Sequence, residues 1–146
     1  LFFAAEIIFR RYETRLIAEM GGIRSQSPKF TSMFLILVLA SVALPSTFNF
    51  VGEFTVLYSL SQINIWFAIL GGTTIILGAY YMLKMFQYAM LGETNSKLFA
   101  DVTANEGITL VLIIAVLFFF GLYPKPIVDL ITPSLQEILT QINRIN

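Results

Sequence analysis

Residues 40–56 read ASVALPSTFNFVGEFTV, and this stretch decides the fold of the chain. It lies inside a long apolar segment, yet it contains a proline, several hydroxyl groups, an amide, a glycine and one carboxylate, Glu53. Pro45 removes a backbone donor and clashes with the carbonyl four residues before it, so we expect a helix to break near residues 44–49. A carboxylate in lipid-compatible sequence is costly and usually marks an ion pathway or a proton relay. The stretch therefore predicts a broken membrane helix of the kind found in transporters, with Glu53 as its working residue.

The composition predicts an integral membrane chain. Of the 146 residues, 57% are hydrophobic and only 12% are charged, whereas about a quarter of the residues of a soluble domain are charged. Several apolar stretches reach the roughly 20 residues that a helix needs to cross a bilayer. Because the sequence has no Cys and no His, it excludes thiolate and imidazole metal sites and catalysis by either side chain. Its net charge of zero argues against nucleic acid as a partner.

We predict an all-α, polytopic membrane bundle with one discontinuous transmembrane helix. The chain is expected to begin with the end of a spanning helix (1–9), a basic loop (10–29) and the broken helix (30–62). A spanning helix (65–91), a polar loop (92–106), a third spanning helix (107–123) and an amphipathic C-terminal helix (133–143) should follow. Pro133 is expected in the first turn of the last helix. The opening segment is too short to span, so we expect this chain to be the C-terminal piece of a longer protein.

The basic residues predict how these segments are oriented. Seven lie on one side and two on the other: Arg10, Arg11, Arg15, Arg24, Lys29, Lys84 and Lys97 against Lys125 and Arg144. Short basic loops stay on the cytoplasmic side of a membrane. We therefore expect 10–29 and 92–106 on that side, or on its equivalent in an organelle, and the C-terminus on the other.

The length of segment 30–62 also requires a break. Its 33 residues would run about 50 Å as one straight helix, against a hydrocarbon core of about 30 Å. The residues that supply the break are Pro45, Ser46, Thr47, Asn49 and Gly52. We expect Thr47 or Asn49 to cap the second half, with Glu53 in its first turn or just beyond. There the helix dipole favours the ionised carboxylate while burial opposes it; alternatively, Glu53 is a structural carboxylate that caps its own helix.

A hairpin turning at residues 63–64 would bring further polar groups to the level of Glu53 or of the break. Those groups are Thr73, Thr74, Tyr80 and Tyr81. Lys84 falls roughly 15 Å from Glu53 along the axis at ~1.5 Å per residue. It is a candidate second proton site, or else a lysine that snorkels to the interface. Glu6 is expected to pair with Arg10 at i, i+4, with a place on a proton path as the alternative.

Several motifs together resemble one family. They are YETR and IAEMGGI within 12–23, ALPSTFNFVGEF at 43–54, YYMLKMFQYAMLG at 80–92 and GLYPKP at 121–126. They look like the C-terminal third of an antiporter-like subunit of respiratory complex I, the proton-translocating NADH:quinone oxidoreductase, and specifically of its M-type subunit, chain 4 in mitochondria. The resemblance covers essentially the whole chain, and LPxTxxFVGEF is its most specific element.

This resemblance implies about fourteen spanning helices in two inverted repeats, each with a broken helix near the membrane midplane. Glu53 falls on the family's broken-helix carboxylate, which passes protons toward the periplasmic side. Sister subunits and Mrp-type antiporters usually have lysine at this position, so a glutamate favours the M-type subunit. Lys84 and Glu6 match no functional residue of the family.

The resemblance also implies where the remaining chemistry takes place. NADH, FMN, iron–sulfur clusters and quinone would all bind in other subunits, so this chain would hold no cofactor and carry out no redox step. Its partners would be the neighbouring membrane subunits and the lipid bilayer, in a bacterial inner membrane or a mitochondrial inner membrane.

Three hypotheses follow for the function. The leading one is a proton-translocating subunit that couples quinone reduction elsewhere in the complex to proton transfer at Glu53. The second is a subunit of an Mrp-type cation/proton antiporter or the equivalent subunit of a membrane-bound hydrogenase. The third is a helical scaffold without a titrating role, which predicts that a neutral replacement of Glu53 leaves pumping intact.

Overall fold

The computed structural model describes residues 1–93 and 98–145, apart from the side chains of Ala18, Leu139 and 142–145. Its α-helices are α1 (Phe2–Tyr12), α2 (Ile23–Gln26), α3 (Pro28–Ser41), α4 (Phe48–Ile63), α5 (Ile65–Phe86), α6 (Ala104–Leu122) and α7 (Lys125–Ile145). A 3₁₀ turn at Ile17–Glu19 and a π-helical turn at Gln87–Leu91 are the other regular elements of this part of the chain. The described residues include no strand, which confirms the all-α prediction.

Within the described residues, two helical stretches are long and apolar enough to cross a membrane. The first is Ile65–Leu91, which consists of α5 and the π-helical turn that follows it, and the second is α6. The helix α3 is apolar but has only 14 residues, and α4 has 16. Each is shorter than the roughly 20 residues that span the hydrocarbon core. Neither α3 nor α4 therefore reaches across a bilayer alone.

The chain between α3 and α4 is irregular at Pro45. The helix α3 ends at Ser41, the residue whose carbonyl would have needed an N–H from position 45, and proline supplies none. The Leu44 N–H instead bonds to the Leu39 carbonyl at 3.1 Å. Ala43 and Ser46 have positive φ angles of 56° and 79°, which non-glycine residues rarely adopt. The interruption covers residues 42–47 and so begins earlier than the predicted 44–49.

The prediction that a side chain caps the first turn of α4 is wrong. Thr47 does stand at the N-cap position, but its side chain accepts no hydrogen bond from the first turn. Its Oγ1 donates instead to the Leu44 carbonyl at 2.7 Å, and the residue is buried. Asn49 lies inside the helix and caps nothing. Because α4 begins at Phe48, Glu53 is its sixth residue and lies just beyond the first turn, within the predicted range.

The loops at one end of the bundle pack against each other. The Phe99 ring lies 5.6 Å from Tyr12 and 5.4 Å from Phe30, measured between ring centroids. The Ser27 hydroxyl donates to the Phe99 carbonyl at 2.9 Å, and the Gln26 side chain accepts from the Phe99 N–H at 2.5 Å. The two segments predicted on one side of the membrane therefore meet there. Lys97, which was counted with them, lies outside the described residues.

An ion pair and a capping box fix the start of α6 to the end of α1. Glu106 accepts a 2.7 Å hydrogen bond from Arg11 and a 2.9 Å bond from the Thr103 N–H. Thr103 accepts in turn from the Glu106 N–H at 3.4 Å. The Arg11 guanidinium also lies 4.8 Å from the centroid of the Phe99 ring. With this box in place, α6 begins at Ala104 rather than at the predicted residue 107.

The last helix begins at Lys125 rather than at Pro133 as predicted, and Pro133 lies inside it. The Pro124 carbonyl accepts from the N–H groups of Ile127 and Val128, both at 3.1 Å, and so starts the helix early. Pro133 removes one donor from the interior, yet the helix continues past it. The sequence of α7 is strongly amphipathic, and Leu135 and Ile138 are exposed.

Candidate functional site

Glu53 lies on α4 between two cavities. The larger, of about 650 Å³, opens between the first turns of α4, at Asn49 and Gly52, and the middle of α5. The smaller, of about 180 Å³, lies between the end of α3, at Ser41, and α5 at Tyr81. Besides Glu53, both cavities share Thr74 and the neighbouring Ile75. The carboxylate therefore stands where the two spaces meet.

The surroundings of Glu53 leave its carboxylate without a partner. The residue is half-buried, and within 1–93 and 98–145 it makes no hydrogen bond and no ion pair. A buried carboxylate normally pairs with a cation or accepts several hydrogen bonds, because desolvation penalises its charge. Among the residues that the structure describes, the Glu53 carboxylate has neither kind of partner.

A tight hairpin sets the register that brings α5 against Glu53. Asn64 caps α5, because its side-chain oxygen accepts the Trp66 N–H at 2.9 Å. Gly71 on α5 faces α4 so closely that a Cβ there would lie 3.0 Å from a Leu57 methyl group. The close approach of the two helices puts Thr74 level with Glu53, as counting outward from the turn predicts.

The structure brings some of the sequence-predicted polar residues to the site and leaves others out. Asn49, Gly52, Thr74 and Tyr81 line one or both cavities. Pro45, Ser46 and Thr47 form the interruption between α3 and α4 and line neither cavity. Thr73 and Tyr80 lie outside both cavities, although they are exposed in the same way as Thr74 and Tyr81.

Lys84 lines neither of the two cavities. Its Nζ donates to the Tyr80 hydroxyl at 3.2 Å. It lies 5.4 and 5.9 Å from the ring centroids of Tyr80 and Tyr88. The structure does not join Lys84 to the carboxylate, so its role as a second proton site stays a prediction.

Glu6 is paired at the surface. Its carboxylate contacts the Arg10 guanidinium at 2.9 Å, and the two side chains are 49% and 74% exposed. This is the i, i+4 pair that the sequence favoured. In the described part of the chain, no three carboxylates converge on a point that could hold a metal ion.

Two contacts at the opposite ends of α6 were missed by the sequence analysis. The first is Gly121 on α6, whose backbone touches the interruption at Ser46 and Thr47. The second is the Arg11–Glu106 pair, which joins residues 95 positions apart. The T-x-x-E pattern at 103–106 was the available signal for the capping box, whereas no local pattern indicates the glycine contact.

Residues 1–78 match the family described as NADH:quinone oxidoreductase/Mrp antiporter, TM. The match covers 78 of the 146 residues, including the interruption, Glu53 and Thr74. The chain belongs to this family. Membership of a transmembrane family places the chain in a membrane and confirms the resemblance drawn from its motifs.

Individual relatives extend the likeness over nearly the whole chain. It is 36% identical to the NADH-quinone oxidoreductase subunit M of Rickettsia typhi over 142 residues, which are 95% of this chain and 29% of that protein. It is 33% identical to the subunit M of Mycobacterium tuberculosis over 147 aligned residues, covering 99% of this chain and 26% of that one. The chain thus spans less than a third of these relatives.

A solved structure carries the same fold. A chain of the respiratory complex I from Thermus thermophilus with bound NADH superposes with a TM-score of 0.78 at 30% identity. The superposition covers 83% of this chain and 26% of the other.

Proposed function

We propose that the chain forms the C-terminal part of the M subunit of a proton-translocating NADH:quinone oxidoreductase, and that Glu53 carries the proton. The observation that supports this most directly is the half-buried, unpaired carboxylate at the meeting point of two cavities. Ionisable groups inside membranes are expensive, and they usually serve ion or proton transfer. The family match includes this residue.

The helices α3 and α4 are, in this proposal, the two halves of one discontinuous transmembrane helix. Their 14 and 16 residues correspond to roughly 21 and 24 Å at ~1.5 Å per residue, and each falls short of a core of about 30 Å. The irregular backbone at 42–47 then lies at membrane depth, where it must be covered by protein or line a water-filled space. The two halves belong to one of the two inverted repeats of the antiporter-like fold.

Proton transfer proceeds through the side chain of Glu53. A proton entering by one cavity binds to the carboxylate and neutralises it. Release into the other cavity restores the anion. The Thr74 hydroxyl borders both spaces and lies beside the route. Charge or shape changes in neighbouring subunits drive the exchange by altering the proton affinity of the carboxylate.

The oxidation of NADH belongs to other subunits in this proposal. FMN, iron–sulfur clusters and quinone bind there, and this chain contributes proton transfer without a redox step. Several bulky side chains of α5 are exposed, including Trp66, Phe67, Leu70 and Ile76. They contact lipid or neighbouring membrane subunits in a bacterial or mitochondrial inner membrane.

The test uses the full-length subunit assembled in its complex and reconstituted in vesicles. We expect Glu53→Gln to lower the rates of proton pumping and coupled NADH oxidation by at least about tenfold, because a positioned proton-transfer group typically contributes a factor of about 10²–10⁴. Glu53→Asp, which keeps a titratable group, should retain most of both activities. Glu6→Gln is the matched control, since Glu6 is exposed and already paired. Normal pumping by an assembled Glu53→Gln complex would instead support a structural carboxylate.

A second candidate is a cation/proton antiporter subunit, because the matching family includes Mrp antiporters. The presence of glutamate rather than lysine at position 53 favours the first proposal. Proton transport that depends on sodium and persists without NADH would favour the antiporter.

A further inference from the structure

The helix α6 touches the interruption between α3 and α4 through the backbone of Gly121. A Cβ at this position would lie 2.5 Å from the Thr47 carbonyl carbon, 2.6 Å from the Thr47 Cα and closer still to the Ser46 carbonyl oxygen. Real Cβ atoms essentially never come within 3.0 Å of another heavy atom. The atoms in the way are backbone atoms, so no side-chain rotation can relieve the clash. Only glycine lets the two segments approach this closely.

The far end of α6 is also held in place. Glu106 joins the capping box of α6 to Arg11, and the two side chains are only 24% and 14% exposed. Between its ends α6 packs against both α3 and α4. At the Gly121 end the Phe120 ring lies 6.2 Å from the Phe48 ring in an edge-on arrangement. The helix is therefore fixed at one end to α1 and presses at the other on the interruption.

The contact at Gly121 lies directly before the start of α4. Thr47 is the N-cap residue of α4, and Phe48 and Asn49, which follow it, line the larger cavity. Glu53 lies on the next turn of the same helix. A displacement of the backbone at Ser46 and Thr47 would move this rigid turn, and with it the carboxylate, relative to Thr74 on α5.

We propose that Gly121 is a positioning residue that holds the interruption against α6 and thereby keeps Glu53 between its two cavities. This inference rests on the proposed function of Glu53 as the proton carrier. The helix α6 contributes no side chain to either cavity. In this proposal, α6 instead keeps Glu53 in position by holding the backbone before α4.

The test replaces Gly121 by alanine in the full-length subunit within the assembled complex. Alanine is a better helix former than glycine, so any loss must come from the contact rather than from helix propensity. Gly72→Ala is the matched control, because a Cβ at Gly72 would meet no atom within 4 Å. The measurements are the amount of assembled complex, the protons pumped per NADH oxidised, and the rate at which an apolar carbodiimide labels Glu53, followed by mass spectrometry.

We expect Gly121→Ala to lower the protons pumped per NADH and to change the labelling rate of Glu53 by about fivefold or more, since misplacing a reacting group by ~1 Å can cost about a hundredfold. Gly72→Ala should change neither. A role in packing alone would lower the amount of complex but would leave both properties of the assembled fraction unchanged. Equal behaviour of the two assembled variants would overturn the inference.

If Gly121→Ala fails to assemble, Phe120→Leu loosens the same junction without adding atoms to it. The labelling rate of Glu53 should then change, and an unchanged rate would overturn the inference. Glu53→Gln is measured in the same series. If it pumps normally, the proposed function itself fails; if it stops pumping while Gly121→Ala does not, only the role of Gly121 fails.

Discussion

Glu53 is distinguished from the other carboxylates by its surroundings. Among the described residues three carboxylates are not exposed: Glu53, Asp101 and Glu106. Asp101 accepts from the N–H groups of Phe30 and Val102, and Glu106 is bonded to Arg11. Only Glu53 lacks such a partner. The sequence identified it because a lone carboxylate in an apolar segment is visible without a structure, whereas the Arg11–Glu106 pair depends on how distant segments fold together.

The Arg11–Glu106 pair should contribute measurably to stability. Glu106→Gln keeps an oxygen for the Thr103 N–H but removes the negative charge that faces Arg11. In the part of the chain that the structure describes, one guanidinium nitrogen of Arg11 is already buried without a hydrogen-bond acceptor. We expect a loss of about 1.5–3 kcal/mol, the range for hydrogen bonds to charged groups, seen as a lower melting temperature of the full-length protein.

The control for this change is Glu6→Gln at the exposed Glu6–Arg10 pair. Exposed ion pairs are worth about 0–1 kcal/mol, so this variant should melt close to the wild type. Equal melting temperatures for Glu106→Gln and Glu6→Gln would contradict the stabilising role of the part-buried Arg11–Glu106 pair.

At the scale of the helices, the sequence predicted that an interruption exists but not its internal bonding. Pro45 lacks the donor that a continuous helix needs, and this is readable from the sequence. The positive φ angles of Ala43 and Ser46 arise from how the chain closes between two packed helices. The same closure turns the Thr47 hydroxyl back to the Leu44 carbonyl rather than forward to α4.

The sequence analysis placed the start of α7 too late, because Pro133 resembles a first-turn proline. The helix begins at Lys125, where the Pro124 carbonyl accepts its first hydrogen bonds.

The buried Thr47 hydroxyl should stabilise the interruption. Thr47→Val keeps the shape of the side chain but removes its bond to the Leu44 carbonyl, and we expect it to lower stability by about 1 kcal/mol. Thr55→Val is the control, since the Thr55 hydroxyl bonds to the Val51 carbonyl on an exposed face of the same helix. Thermal melting of both full-length variants checks this, and a larger loss at Thr55 would contradict it.

At the scale of the whole molecule, counting outward from the hairpin turn predicts the height of four polar residues along α5, and two of them, Thr74 and Tyr81, line a cavity beside Glu53. The count gives the height of a residue along α5 but ignores its direction. Adjacent residues differ by about 100° around a helix, so only one of two neighbours faces α4. The contact of α6 with the interruption was not predictable, because its apolar sequence gave no sign of which face is packed.

The arrangement of the loops predicts the sidedness of the chain. The sequence has no cysteine, so single thiols introduced at the exposed positions Glu13, Leu98 and Asp129 report accessibility in a full-length protein freed of other cysteines. We expect a membrane-impermeant thiol reagent to label the first two from one side and the third from the other, because α6 crosses between them. Labelling of all three from the same side would contradict a membrane-spanning α6.

Infrared difference spectroscopy of the assembled complex, with and without NADH, tests the central claim most directly, because it observes protonation of a carboxylate itself. If Glu53 gains and loses a proton during turnover, the spectrum should contain a protonated-carboxyl band that disappears in Glu53→Gln, shifts in Glu53→Asp and persists in Glu6→Gln. Identical carboxyl bands in the wild type and in an assembled Glu53→Gln complex would contradict the assignment of Glu53 as the proton carrier.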